Sequence, residues 1–228
     1  MKTVVVIPAY NEGWGIGKVI KEVKDLGLDV IVVDDGSIDE TKEIARQSGA
    51  IVLNHCINRG QGAALQTGIN FSLNFGADII VTFDADGQHN SKEIKEIIDP
   101  ILSGEFDVVL GSRFIKSKIS NLKTNIPMLR KFILRLAAWF TRLYTGVKVT
   151  DAHNGFRAFS KNSAALIEIK QDGMAHASEI IEQIKKHQLK FKEVAVTINY
   201  TDYSLKKGQK LTNSFKIILD LIIGRISK

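Results

Sequence analysis

Apolar positions in the first half of the chain fall into short unbroken runs, separated by longer stretches in which apolar residues recur with helical spacing. The runs Val4-Val5-Val6-Ile7, Val30-Ile31-Val32-Val33 and Ile79-Ile80-Val81-Thr82-Phe83 are rich in β-branched residues and show no alternation of apolar with polar. A strand with one wet face alternates, so an unbroken run marks a strand covered on both faces, as in parallel sheets. The pattern predicts strand 3–7, helix 14–25, strand 29–33, helix 38–48, strand 50–53, helix 61–75 and strand 79–83. It continues with helix 91–103, strand 106–111, a basic segment, helix 160–168, helix 177–187, strand 192–199 and a helix over 213–226. No repeat, low-complexity tract or linker interrupts it. The expected architecture is one α/β domain over 1–228, with a mostly parallel sheet between helices.

The 228 residues suffice for a substantial core, since a domain of this size removes roughly 70% of its unfolded surface from water. The lone Cys56 excludes an intramolecular disulfide, agrees with a reducing compartment and reads as a packed thiol. Met1 leads straight into the first apolar run without the features of a secretory signal, and no stretch reaches the ~18 uninterrupted apolar residues of a spanning helix. A net charge of +6 is modest, but nine basic residues and no acid lie between Arg113 and Lys148, so an anionic neighbour is expected there. No nucleic-acid reader motif accompanies the charge.

Ligands of open parallel sheets sit beyond the carboxyl ends of the strands. The expected elements put Pro8 to Glu12, Asp34 to Ser37, Asn58 to Ala63 and Asp84 to His89 at those ends. In extended chain, residues i and i+2 share a side, so Asp84 and Asp86 can converge where their strand stops, an arrangement suited to a hard divalent ion that also grips a diphosphate. Pro8 fixes the backbone and Tyr10 offers a ring for a nucleobase. Asp34 beside Asp35 is one acid more than a helix cap needs, with Ser37 or Asp39 available as the cap, and Asp35 is favoured to accept from a base edge or ribose hydroxyls. Gly60 and Gly62 open a helix and permit close backbone approach where the helix amino end favours negative charge. Arg113 and Arg157 are candidates for an anion site, because guanidinium pairs with phosphate oxygens.

Together these loops resemble family 2 glycosyltransferases of the GT-A fold, most closely the polyprenyl-phosphate branch typified by dolichyl-phosphate mannose synthase. Pro8-Ala9-Tyr10-Asn11-Glu12, Val33 to Ser37, Asn58 to Ala63, Asp84-Ala85-Asp86-Gly87-Gln88-His89, Gly111-Ser112-Arg113 and Asn154-Gly155-Phe156-Arg157 carry the resemblance from Val4 to about Lys210. It implies a Rossmann-like nucleotide-diphospho-sugar transferase, with the nucleotide bound by Pro8, Tyr10, Glu12, Val33, Asp35, Asp84 and Ala85. Asp86 and Gln88 would hold Mg2+ or Mn2+, and a hexose would pass with inversion from a nucleotide-diphosphate sugar to a polyprenyl phosphate. Such an acceptor is already largely ionised, with a second pKa near ~6. Asp151 is therefore expected to orient the acceptor site or sugar, and Glu179 resembles a family acid near the sugar. Relatives carry an Arg where this chain has Tyr203, which leaves Lys206, Lys207 or Lys210 to supply the charge. Two alternatives are transfer to a saccharide in cell-surface glycan synthesis, and a non-catalytic, lipid-recruiting subunit of a glycan-assembly complex.

From Leu129, apolar residues recur at Phe132, Ile133, Leu136, Ala137, Phe140, Leu143 and Tyr144, flanked by Arg130, Lys131, Arg135 and Arg142 and including Trp139. This reads as a helix lying in the headgroup layer of an anionic membrane. Segments 114–148 and 213–226 are expected to face the membrane or a small integral-membrane partner, with the protein peripheral at the cytoplasmic face.

Overall fold

The computed structural model describes residues 1–115, 128–173 and 175–199. The expected helix 213–226 and the residues around Tyr203, Lys206, Lys207 and Lys210 lie outside the described residues. The first-half runs become β1 (Thr3–Ala9), β2 (Asp29–Asp34), β3 (Ile51–Asn54) and β4 (Ile79–Thr82), connected by α1 (Ile16–Lys24), α2 (Thr41–Gln47) and α3 (Gln61–Asn74). After a 3-10 turn at Ser91–Glu93 come α4 (Ile94–Leu102), β5 (Val108–Ser112), α5 (Met128–Thr145), β6 (Arg157–Ser160), α6 (Lys161–Leu166), α7 (His176–Lys186) and β7 (Phe191–Ala195).

Strand order in the sheet is β3-β2-β1-β4-β6-β5-β7. Neighbouring strands pair parallel except at β6, which runs antiparallel to both β4 and β5. The sequence reading contained no strand at 157–160. Four residues bearing Arg157 and Ser160 show no apolar run of their own, and it is the two flanking strands that bury them. Because β6 is reversed, its first residue lies at the carboxyl ends of its neighbours, with Arg157 opposite both Thr82 and Leu110.

The unbroken runs are explained by burial on two faces. Along β1, Val4 and Val6 join a core with Leu65 and Ile69 of α3 and Ile180, Ile181 and Ile184 of α7. Val5 and Ile7 point the other way, into a core with Ile16, Val19, Ile20 and Val23 of α1 and Ile94, Ile97 and Ile101 of α4. Each fully buried side chain of this size contributes roughly 1.5–3 kcal/mol, so both faces anchor the strand whose end carries the first site loop. Gly68 lets α3 approach closely, since a Cβ there would lie 2.3 Å from Val6 Cγ1. Cys56, expected to be packed, is exposed.

Candidate active site

Three loops at the carboxyl ends of β1, β2 and β3 are sewn together by side chains. Asn11 N–H donates to Ser37 Oγ at 2.9 Å, Ile38 N–H to Asn11 Oδ1 at 3.0 Å, and Glu12 N–H to Thr41 Oγ1 at 2.8 Å. The cap position of α2 falls to Glu40, whose side chain makes no capping bond, rather than to Ser37 or Asp39; Asp39 accepts from Thr41 N–H at 3.0 Å and from Gly13 N–H at 3.0 Å, so it and Ser37 both tie the loops. Tyr10 is 43% exposed, while Glu12, Val33, Asp35 and Ala85 are buried. Asp35 Oδ1 accepts from Arg59 N–H at 3.0 Å and meets His55 Nδ1 at 2.7 Å, and Oδ2 accepts from Gly60 N–H at 2.7 Å. Those three contacts take most of the roughly four lone-pair sites of a carboxylate. In this conformation Asp35 shapes the 58–60 loop.

The glycines that open α3 serve a different neighbour from the one expected of them. A Cβ on Gly62 would lie 1.9 Å from Gln171 O, one on Gly60 would lie 2.3 Å from Asp172 O, and Gly62 N–H donates to Asp172 O at 2.8 Å. Close approach is spent on the 171–172 segment, which a local reading of the motif cannot foresee. Glu179 holds that segment by accepting from Lys170 N–H at 3.0 Å and Gln171 N–H at 2.9 Å.

Beyond β4, Asp84 and Asp86 do lie together, in unlike surroundings. Asp84 accepts from Gln61 Nε2 at 3.1 Å and meets His89 Nε2 at 2.8 Å. His89 packs against both the Phe83 and Phe156 rings, with centroids 5.2 and 5.1 Å away, and those two rings meet edge to face. Burial alone would raise the Asp84 carboxyl, but the facing His89 and the Arg157 charge outweigh it and hold the group below the usual carboxylate range. Asp86 moves the opposite way, raised first by burial and then by the negative charge of Asp84. Gln88 steadies Asp86 through its backbone N–H at 3.0 Å and its side-chain amide. The pair is a partly exposed, oxygen-rich site in which His89 and Arg157 face the Asp84 charge while Asp86 is held against burial and the charge of Asp84. No group of three or more His, Cys, Asp or Glu placed to hold a metal occurs among the described residues, so any cation here would draw remaining oxygens from substrate and water, the habit of Mg2+.

At the end of β5, Arg113 forms a two-pronged ion pair with Asp151, Nε to Oδ2 at 2.6 Å and Nη2 to Oδ1 at 2.7 Å. Burial would raise Asp151, but the guanidinium more than offsets this and holds it low. Arg157 is 2% exposed, donates through Nη2 to Ala152 O at 3.2 Å, and lies within the fields of both Asp84 and Asp151, which oppose the lowering by burial to about 10. Expected in an anion site, it is a buried positive charge that two carboxylates favour. Burial also lowers His153 and His176 to about 4, so both are neutral near pH 7. The sequence reading missed His153, His176 and Gln61; the only hints were the position of Gln61 inside the Asn58 to Ala63 motif and of His153 just before Asn154.

Helix α5 packs its small residues inward, with Ala138, Thr141 and Thr145 buried and Thr141 Oγ1 3.4 Å from Ser178 Oγ of α7. While Ile133, Leu134, Phe140 and Tyr144 are half-buried, four of its large apolar residues face out, with Phe132 65%, Leu136 47%, Trp139 56% and Leu143 65% exposed. At 100° per residue these four share one narrow stripe, with Lys131, Arg135 and Arg142 along one border. Arg135 also lies over the Phe114 ring at 5.7 Å. None of the described helices is long and apolar enough to cross a membrane.

A mostly parallel seven-stranded sheet with one reversed strand, covered by helices and carrying an acid pair at the end of a central strand, is a GT-A-type fold. Residues 4–166 match the family model for glycosyl transferase family 2, and the chain belongs to that family. It is 41% identical over 225 residues to an uncharacterized protein of Methanocaldococcus jannaschii, a match covering 97% of this chain and 91% of that one. It is 33% identical over 244 residues to UDP-N-acetylglucosamine–dolichyl-phosphate N-acetylglucosaminyltransferase of Methanococcus voltae, covering 98% and 96%. Among solved structures, glucosyl-3-phosphoglycerate synthase of Mycobacterium tuberculosis in complex with Mn2+ and UDP-glucose superposes with a TM-score of 0.73 at 21% identity, covering 99% of this chain and 78% of that chain.

Proposed function

We propose that the protein transfers a hexose, with inversion, from a nucleoside diphosphate sugar to a polyprenyl phosphate of the undecaprenyl or dolichyl type, working peripherally at the cytoplasmic face of a membrane. The observation that carries this reading is the gathering, at one end of the sheet, of the Asp84–Asp86 pair and the Arg113–Asp151 pair, together with an exposed apolar stripe on the helix that follows Arg113 in the chain. A relative named for transfer to dolichyl phosphate, aligned over nearly all of both chains, supports the lipid acceptor.

The half-exposed Tyr10 ring, with Pro8, Glu12, Val33, Asp35 and Ala85, lines the nucleoside side. Asp84, Asp86 and Gln88 offer hard oxygen donors, and the burial and Asp84 repulsion that together raise Asp86 are what a divalent cation offsets, so the set fits Mg2+ or Mn2+. When bound, the ion supplies charge to offset that building on the departing diphosphate. Arg113, aligned by Asp151, receives the acceptor phosphate, which is already ionised and needs positioning more than deprotonation. A phosphate oxygen then bonds to the anomeric carbon from the side opposite the leaving diphosphate. The buried charge of Arg157 favours the ionised forms of Asp84 and Asp151, and α5 rests its stripe in the headgroup layer.

The test supplies UDP-N-acetylglucosamine, UDP-glucose and GDP-mannose separately, with undecaprenyl or dolichyl phosphate and Mn2+ or Mg2+. An organic-soluble hexosyl phosphate of inverted anomeric configuration, identified by mass spectrometry and NMR, is expected. Product found only on water-soluble saccharides would overturn the lipid acceptor.

A further inference from the structure

Glu193, in the edge strand β7, makes contacts that no motif suggested. Its Oε1 accepts from Thr150 N–H at 2.7 Å, from Thr150 Oγ1 at 2.8 Å and from Asp151 N–H at 3.2 Å. Thr150 Oγ1 is in turn 2.6 Å from Ser112 Oγ, which accepts from Phe114 N–H at 3.2 Å. One carboxylate oxygen therefore ties β7 to both chain segments that carry the Arg113–Asp151 pair, the residues on either side of Arg113 and the backbone of Asp151 itself. None of these contacts reaches the Asp84–Asp86 end of the site. We propose that Glu193 is a positioning residue for the acceptor half of the site, setting the direction in which Asp151 presents Arg113. The inference rests on the acceptor role given to Arg113 above.

A side chain that only strengthened the sheet edge would, when changed, lower the active fraction and leave every KM as it was. A positioning residue acts on one substrate. Replacing Glu193 by leucine removes the shared acceptor, leaves two N–H groups and a hydroxyl without it, and lets the 150–151 segment shift. Misplacement of this kind costs on the order of 10- to 100-fold. Steady-state kinetics of Glu193→Leu are expected to show the KM for undecaprenyl phosphate raised about tenfold or more, with the KM for the nucleotide sugar and the slow hydrolysis of that sugar by water little changed. Glu193→Gln keeps an oxygen acceptor and should bring the acceptor KM most of the way back. Should the leucine variant fail to fold, Thr150→Val, which removes the hydroxyl shared by Glu193 and Ser112, is expected to show the same acceptor-selective rise in smaller degree. Equal changes in both KM values, or a loss of active fraction with neither KM altered, would overturn the proposal. If the parent protein makes no lipid product but glycosylates a saccharide, the lipid reading alone falls, and the same comparison of KM values with that saccharide decides the role of Glu193.

Discussion

Changing Phe132, Leu136, Trp139 and Leu143 of α5 to serine removes apolar surface that already faces solvent, since these side chains are 65%, 47%, 56% and 65% exposed. Full burial of a side chain of this size is worth roughly 1.5–3 kcal/mol, so covering the open half to two-thirds of each yields roughly 1–1.5 kcal/mol. Four together amount to about 4–6 kcal/mol, a factor of roughly a thousand to ten thousand in partitioning. Lys131, Arg135 and Arg142 add up to about 1 kcal/mol each near an anionic leaflet, and salt screens that part. Co-sedimentation with vesicles of mixed anionic and neutral lipid should therefore fall by about three orders of magnitude for the quadruple variant and about five- to tenfold for Leu143→Ser alone. Because the stripe contributes little to the folded core, melting should shift by no more than about 2–4 °C per kcal/mol of incidental loss. Unchanged vesicle binding, together with a large fall in melting temperature, would mean that this face packs on protein and would refute the argument.

Removing the acid at position 86 by Asp86→Ala should cut transfer by at least about 100-fold without lowering the melting temperature, because the carboxyl is held there against burial and the charge of Asp84; chelation should stop turnover, and Mn2+ or Mg2+ should restore it. Asp151→Asn leaves the Arg113 charge buried without its partner and is expected to cost roughly 3–5 kcal/mol in urea unfolding. The folded Asp151 carboxyl titrates below its unfolded value, so its contribution is complete above ~3.9 and is lost as pH falls through the lower folded value. Below about pH 4 the parent should consequently lose stability more steeply than Asp151→Asn, and parallel curves there would show that the pair is not the source. Gly155→Ala would put a Cβ 2.6 Å from both Asp84 carboxylate oxygens; kcat measured at saturating substrates should drop on the order of 100-fold as Asp84 is pushed from its place.

The parts of the fold legible in the sequence are those that local pattern determines. Val4 to Ile7 and Val30 to Val33 announce doubly covered strands because both faces meet helices, and the acids at their ends follow from where such strands stop. Contacts made across long sequence separations were hidden. Gly60 and Gly62 look like a phosphate loop, yet the surface they fit is a backbone carbonyl segment more than a hundred positions away. The helical stripe on α5 was readable, but only packing of Ala138, Thr141 and Thr145 against the protein reveals that the larger side chains face outward. Arg157 was recognised as a candidate, but its burial was not legible, since a charged residue in a four-residue strand shows no sign of being covered.

That strand is also what joins the two halves of the site. In a wholly parallel sheet the loop leading into β6 would lie at the amino ends of its neighbours, far from Asp84 and Arg113. Reversal of β6 brings the 151–157 loop to the carboxyl ends instead, with Thr82 Oγ1 donating to Gly155 O at 2.6 Å and Gly111 N–H to Phe156 O at 2.8 Å. One loop thus touches the strand that carries the acid pair and the strand that leads into Arg113, and Arg157 lies in the fields of both Asp84 and Asp151. Its cation favours the charged forms of both the partly exposed Asp84 and the buried Asp151. An Arg157→Met substitution, similar in length and without charge, should therefore raise the pKa of both acids, and kcat should fall even at saturating concentrations of both substrates. NMR titration of the carboxyl carbons would check this directly: unmoved carboxyl pKa values in a folded Arg157→Met protein would show that the two ends of the site are electrically independent.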